Sequence, residues 1–143
     1  MLIPDVNLLV YACMSGMQQH PKARAFWARA LNGDEPVGLL PVVVFGFLRI
    51  VTNRKVFTPP LPAAAAVDLI EEWLALPSVR LLCPAPEEVQ GALALVRAQG
   101  TAANLTTDAQ IAASALAQNA VVVTSDSDFK RFAKVKTRDP LAG

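Results

Sequence analysis

The segment LTTDAQIAASALAQNAVVVTSD, residues 105–126, decides the fold class. From Ala109 to Gln118 it reads as an apolar helix, because alanine is the strongest helix former and no Gly or Pro interrupts the run. Asn119 provides the stop. Ala120 to Thr124 then forms a short apolar run with three consecutive valines, which reads as a strand ending at Ser125-Asp126. Apolar and polar residues do not alternate along it, so both faces of this strand are buried. That is the situation of a strand in a parallel sheet with helices on either side.

Outward from this segment the same alternation of helix and strand recurs. Leu2-Ile3 followed by Pro4-Asp5 makes a short strand that ends at a carboxylate, and Asn7 to Met14 reads as a helix. Pro21 to Leu31 is a helix with Pro near its first turn and Asn32-Gly33 as its stop. Val37 to Leu40 is a buried strand. Pro41 to Asn53 is a helix despite its β-branched residues, since Val44, Phe47, Leu48 and Val51 recur at helical spacing. After the extended loop Thr58 to Pro62, Ala63 to Leu76 is amphipathic, with Val67, Ile70, Trp73 and Leu74 on one face and Asp68, Glu71 and Glu72 on the other. Val79 to Cys83 is a strand. The next helix starts at Pro86 with Glu87 and Glu88 in its first turn, where the helix dipole favours acids, and Gly100 ends it. Asp128 to Phe132 makes a short turn or helix, and Lys134 to Thr137 a last strand. The expected architecture is α/β, a three-layer α/β/α sandwich around a mainly parallel central sheet, in one domain spanning residues 1–143.

Composition narrows the function classes. Hydrophobic residues make up 53% of the 143 and charged residues 17%, which excludes a disordered chain. The longest apolar stretch, Val37 to Leu48, is about 12 residues and is broken by Gly38, Pro41 and Gly46, whereas a membrane helix needs roughly 18. The N-terminus has no basic region and places Asp5 among its apolar residues, so it is not read as a signal peptide. Cys13 and Cys83 read as buried thiols, and the expected location is the reducing cytoplasm. With His20 the only histidine, zinc ligation and a histidine base are both disfavoured. The net charge of +1 supplies no global attraction for nucleic acid, but basic residues cluster locally. Arg49, Arg54 and Lys55 form one group; Lys130, Arg131, Lys134, Lys136 and Arg138 form another. Such patches can hold phosphates on a neutral domain, or simply face solvent.

Of the twelve acidic residues, three stand apart from solvent faces and ordinary first turns: Asp5, Asp108 and Asp126. Asp5 and Asp126 follow strands, and ligands of open α/β sheets bind beyond the carboxyl ends of strands. Asp108, at the start of an apolar helix, can open onto the same edge. Converging carboxylates repel unless a divalent cation lies among them, and an all-oxygen ligand set selects Mg²⁺ or Mn²⁺. Such a cation lowers the pKa of water and neutralises charge on phosphate oxygens, so phosphodiester hydrolysis is the natural chemistry. The simpler readings are an N-cap for Asp108 and a turn residue for Asp126. Asp5, set between Leu2-Ile3 and Leu8-Leu9-Val10, has no such alternative.

Three blocks, MLIPDVNLLVYA (1–12), LTTDAQIAASALA (105–117) and VVVTSDSDFKRF (121–132), resemble the signature blocks of PIN domains, and most closely those of the VapC-type endoribonuclease toxins of bacterial toxin–antitoxin pairs. PVVVFGFLRIVTN (41–53) resembles a helix of one VapC subgroup, and the closing Asp139 to Leu141 fits as well. The resemblance implies Mg²⁺ or Mn²⁺ dependence and cleavage of single-stranded RNA by metal-activated water. It maps the catalytic and metal-holding carboxylates to Asp5, Asp108 and Asp126, with Asp128 as a further metal ligand. Asn7 and Thr124 fall at neighbouring motif positions expected to meet substrate, and Arg49, Arg54, Lys130 and Arg131 are candidates for phosphate contacts. The implied partners are an RNA substrate, a small antitoxin protein and a second copy of the chain, with no membrane.

One departure stands out. PIN domains commonly carry a Glu in the helix at 41–53, and Gly46 occupies its place; no Asp or Glu lies between Pro36 and Pro62. Two other classes therefore stay open: a PIN-like RNA- or protein-binding module weakened by the missing Glu, and a receiver-like or phosphatase domain with an acidic pocket. The latter expects a lysine at the end of its own strand, whereas Lys130 directly follows the Asp-x-Asp block. The helix at 41–53 is also apolar nearly all round, which calls for a cover beyond the sheet.

Overall fold

The computed structural model describes residues 1–142. Five three-residue strands form one sheet in the order β3-β2-β1-β4-β5, every pair parallel. They are β1 (Leu2–Pro4), β2 (Val37–Leu39), β3 (Val79–Leu81), β4 (Val121–Val123) and β5 (Lys136–Arg138). Six helices connect them: α1 (Val6–Cys13), α2 (His20–Leu31), α3 (Pro41–Val51), α4 (Ala63–Leu74), α5 (Pro86–Gln99) and α6 (Leu105–Gln118). A 3-10 turn, Ser127–Arg131, precedes β5. The expected three-layer α/β/α sandwich is the observed architecture.

The strand order explains where a site can form. The chain steps from β1 to β2 to β3 in one direction, then jumps back across β1 to place β4 and β5 on its other side. Right-handed crossovers in opposite directions send α1 to α4 to one face and α5 and α6 to the other. The reversal lies between β1 and β4, so their carboxyl ends open a crevice that no crossover fills. Leu2, Ile3 and Pro4 of β1 are in register with Val121, Val122 and Val123 of β4. The residues that follow these strands, Asp5 and Thr124, are therefore neighbours.

Burial follows from this layering. β1, β2 and β4 are central, and Ile3, Val37, Leu39 and Val122 are fully buried, whereas Lys136, Thr137 and Arg138 of edge strand β5 are all exposed. Charged side chains on an edge discourage pairing with another sheet. Between the helices Trp27 of α2 meets Trp73 of α4 edge-on at 5.5 Å, and Phe47 of α3 packs on Trp73 at 5.2 Å.

Several local expectations need correcting. Val67 is exposed, and Ala66 takes its place beside Ile70 and Trp73 on the buried face of α4; the face is rotated by one residue. Cys83 is exposed and Cys13 half-buried, so they are not two buried thiols. α6 begins at Leu105, one turn earlier than the alanine run indicates, which puts Asp108 inside the first turn rather than at the cap. Most of α3 is covered by its own chain: Val43, Val44, Phe47 and Val51 are buried, Val42, Leu48 and Ile50 are half-buried, and only Phe45 among its apolar residues is exposed. α1, α4 and α6 supply that cover. The apolar side chains left exposed on the other face are Val89 and Leu93 of α5 and Leu116 of α6.

α1 and α3 approach closely where Gly46 faces Val6. A Cβ at Gly46 would lie 2.9 Å from Val6 Cγ2 and 3.5 Å from Val6 Cγ1. A valine in a helix is stiff at χ1 and cannot swing aside. Gly46→Ala should therefore destabilise the fold by about 1–3 kcal/mol through overpacking, despite alanine's better helix propensity. The double variant Gly46→Ala/Val6→Ala should recover most of the loss relative to Val6→Ala alone. Urea unfolding of the four proteins checks this; additive effects would show that the contact is not the cause.

Candidate active site

A pocket of about 590 Å³ opens at the carboxyl ends of β1 and β4. Four carboxylates line it: Asp5 after β1, Asp108 in the first turn of α6, and Asp126 and Asp128 around the 3-10 turn. Val42, Phe45, Gly46, Arg49 and Ile50 of α3 form one wall, and Val6, Asn7, Asn104 and Thr107 complete it.

Asp5 is buried, and both of its oxygens are engaged. Oδ1 caps α1 by accepting from the Leu8 amide at 2.8 Å, and Oδ2 accepts from the Thr124 hydroxyl at 2.6 Å. The same Thr124 oxygen accepts from the Asp126 amide at 2.9 Å, so one buried hydroxyl ties the end of β1 to the turn after β4. Asp126 Oδ1 in turn accepts from the Asp128 amide at 2.9 Å, capping the 3-10 turn. The turn reading of Asp126 and its place in the acidic pocket are thus both realised.

One carboxylate oxygen each from Asp108, Asp126 and Asp128 lie within 4.8 Å of one another, the spacing of groups that could share a cation. Asp5 lines the same pocket but is not part of that trio. Both of its oxygens are held by hydrogen bonds, and Asp128 stands with Asp108 and Asp126 in the trio.

The electrostatics record the crowding. Burial pushes Asp108 up from the ordinary 3.8 to about 7, with the negative charges of Asp126, Asp5 and Asp128 adding to it. Burial likewise pushes Asp5 up to about 6 against the hydrogen bonds from Thr124 and Leu8. Tyr11 is raised by its own burial and by Asp5 and Asp126. Ionising these groups together is therefore costly, and a divalent cation placed among them would offset that cost. Its donors are all hard oxygens, which fits Mg²⁺ or Mn²⁺ and not a soft metal.

Of the proposed phosphate contacts, Arg49 lines the pocket. Arg131 Nε lies 3.7 Å from Asp128 Oδ1, where it offsets part of the acidic charge. Lys130 and Arg54 are exposed and outside the lining. Asn7 lines the pocket from α1, whereas Thr124 is buried behind it and acts through Asp5 and Asp126. Gly46 does face the pocket, with Val6 filling the volume beside it. Gly46→Glu alone would drive its Cβ into Val6 and so would not simply supply the missing oxygen. Sequence reasoning missed Asn104, Thr107 and Phe45. Asn104 stands one turn before Asp108, a spacing that becomes visible once α6 starts at Leu105.

The PIN domain family profile matches residues 2–135. The chain is 46% identical over 141 residues to Ribonuclease VapC33 of Mycobacterium tuberculosis, covering 99% of each chain. It is 38% identical over 143 residues to VapC ribonuclease Mb2897 of Mycobacterium bovis, covering 100% of this chain and 97% of that one. Among solved structures it is similar to Mycobacterium tuberculosis VapC20, a toxin that cleaves the sarcin-ricin loop, with a TM-score of 0.71 and 19% identity over 97% of this chain and 100% of that one. It is also similar to a chain of VapBC-1 from nontypeable Haemophilus influenzae, with a TM-score of 0.70 and 15% identity over 99% and 98%. Sequence profile, relatives and fold agree over nearly the whole chain, and the chain belongs to the PIN domain family.

Proposed function

We propose that this chain is the ribonuclease toxin of a type II toxin–antitoxin pair, an endoribonuclease that cleaves single-stranded RNA with Mg²⁺ or Mn²⁺. The observation that carries the reading is the convergence of Asp5, Asp108, Asp126 and Asp128 in one pocket with no lysine among its lining residues. The relatives' names as ribonucleases support the activity.

In this reading Asp108, Asp126 and Asp128 hold the cation, and Asp5 fixes the carboxyl end of β1 behind them. When bound, the cation supplies water activation and neutralises charge on the phosphodiester. Arg49 draws an RNA phosphate to the pocket mouth, and Asn7, Asn104 and Thr107 offer hydrogen bonds along its wall. Thr124 is a positioning residue: it orients Asp5 through its proton and the Asp126 backbone through its lone pair. Gly46 favours the alternative of a weakened binding module, but four carboxylates remain without it. The proposed partners are a small antitoxin and a second copy of the chain. With most of α3 covered internally, Val89 and Leu93 of α5 and Leu116 of α6 offer exposed apolar side chains for them.

Asp126→Asn should lower cleavage of a single-stranded oligoribonucleotide at least about 100-fold, and Thr124→Val about 10- to 100-fold, the range for residues that orient metal ligands. Cleavage by Asp126→Asn at the wild-type rate would contradict the assignment.

The raised carboxylates also fix a pH dependence. In the metal-free protein Asp5 and Asp108 keep protons up to about 6 and about 7, whereas the unfolded chain releases them near 3.8. This stabilising difference is present at low pH and is lost as pH rises through the folded values. Cation binding requires the ionised forms, so it strengthens over the same window. Mn²⁺ should raise the Tm more at pH 8 than at pH 5.5. Thermal melts with and without Mn²⁺ check this, and an equal or absent shift at both values would contradict it.

A further inference from the structure

The wall that α3 gives to the pocket consists of Val42, Phe45, Gly46, Arg49 and Ile50. These positions are spaced i, i+3, i+4, i+7 and i+8 and so share one helix face. Within that face Phe45 is 66% exposed, although the other apolar residues of α3 are buried or half-buried. The ring contributes little to the core, and it lines the same pocket as the four carboxylates. Arg49, one turn along, is the only cation among the lining residues.

We propose that Phe45 stacks on a nucleobase of single-stranded RNA, next to the phosphate that Arg49 holds and the phosphodiester presented to the acidic cluster. The inference deepens the ribonuclease reading and rests on it. Single strands are gripped by aromatic faces alternating with cations along the backbone, and unpaired bases can be splayed out to meet them. A protein partner would call for a contiguous apolar patch. Phe45 instead lines a pocket with Arg49, Asn104 and Asp108; its apolar neighbours there, Val6, Val42 and Ile50, are half-buried, and none of the other large exposed apolar side chains lines it.

The test uses Phe45→Ala, Phe45→Leu and Phe45→Trp in the full chain with Mg²⁺ and a single-stranded oligoribonucleotide. Alanine and leucine should each raise KM about 5- to 100-fold, the range for loss of one stacked base, with kcat within about twofold. Tryptophan should keep KM, and its added indole should be quenched by the RNA. Replacing one nucleotide of the RNA by an abasic unit should remove both the quench and the difference between wild type and Phe45→Ala. Leucine as effective as phenylalanine, or KM unchanged in Phe45→Ala, would overturn the stacking role. Loss of binding to the co-expressed antitoxin with KM unchanged would assign the ring to a protein contact and overturn it too. No cleavage by the wild type would count against the ribonuclease reading; the indole quench still decides the stacking one.

Discussion

Parallel pairing of β1 with β4 sets Asp5 beside Thr124, and the 2.6 Å hydrogen bond between them joins the two strand ends that carry the site. A carboxylate buried this deeply is costly unless hydrogen-bonded. Asp5 meets that requirement with the Leu8 amide and the Thr124 hydroxyl. The hydroxyl then has a lone pair left for the Asp126 amide. One threonine thereby fixes the start of α1 and the turn after β4 relative to each other, and the remaining carboxylates are placed from that frame.

The rest of the crevice sets four carboxylates against one lining cation, Arg49. Arg131 reaches Asp128 only at 3.7 Å from an exposed position, and no lysine enters the pocket. Asp108 gains from the N-terminal dipole of α6, yet its carboxyl still rises to about 7. Burial, with the negative charges around it, makes this carboxyl hold its proton more readily than an ordinary aspartate. On the α3 side, the absence of a side chain at Gly46 is matched by Val6, so the wall is closed there by an apolar contact.

The fold was legible because its signals are local. Unbroken apolar strands at 37–40 and 120–124 announce a sheet covered on both faces, and Asn119, Gly100 and the prolines punctuate the helices. Asp5 was legible as a candidate because a carboxylate amid Leu2-Ile3 and Leu8-Leu9 is desolvated, whereas its service as the N-cap of α1 was not. The closeness of Asp108, Asp126 and Asp128 was not legible either, because it depends on hydrogen bonds such as that from the Asp128 amide to Asp126 Oδ1, and no spacing rule carries that. Cys83 misled because it lies beyond the end of edge strand β3, which stops at Leu81, and strand order is set by long-range pairing. Phe45 escaped notice because α3 is apolar all round, and only packing against α1, α4 and α6 reveals which ring is left over.

The central claim is that the crevice between β1 and β4 is a divalent-cation site held by Asp108, Asp126 and Asp128 with Asp5 behind them. Anomalous diffraction from crystals soaked in Mn²⁺ at pH 8 tests it most directly. The account predicts a manganese peak in direct contact with oxygens of Asp108, Asp126 and Asp128. A peak confined to other carboxylates, or a crevice without manganese at millimolar concentration, would contradict it.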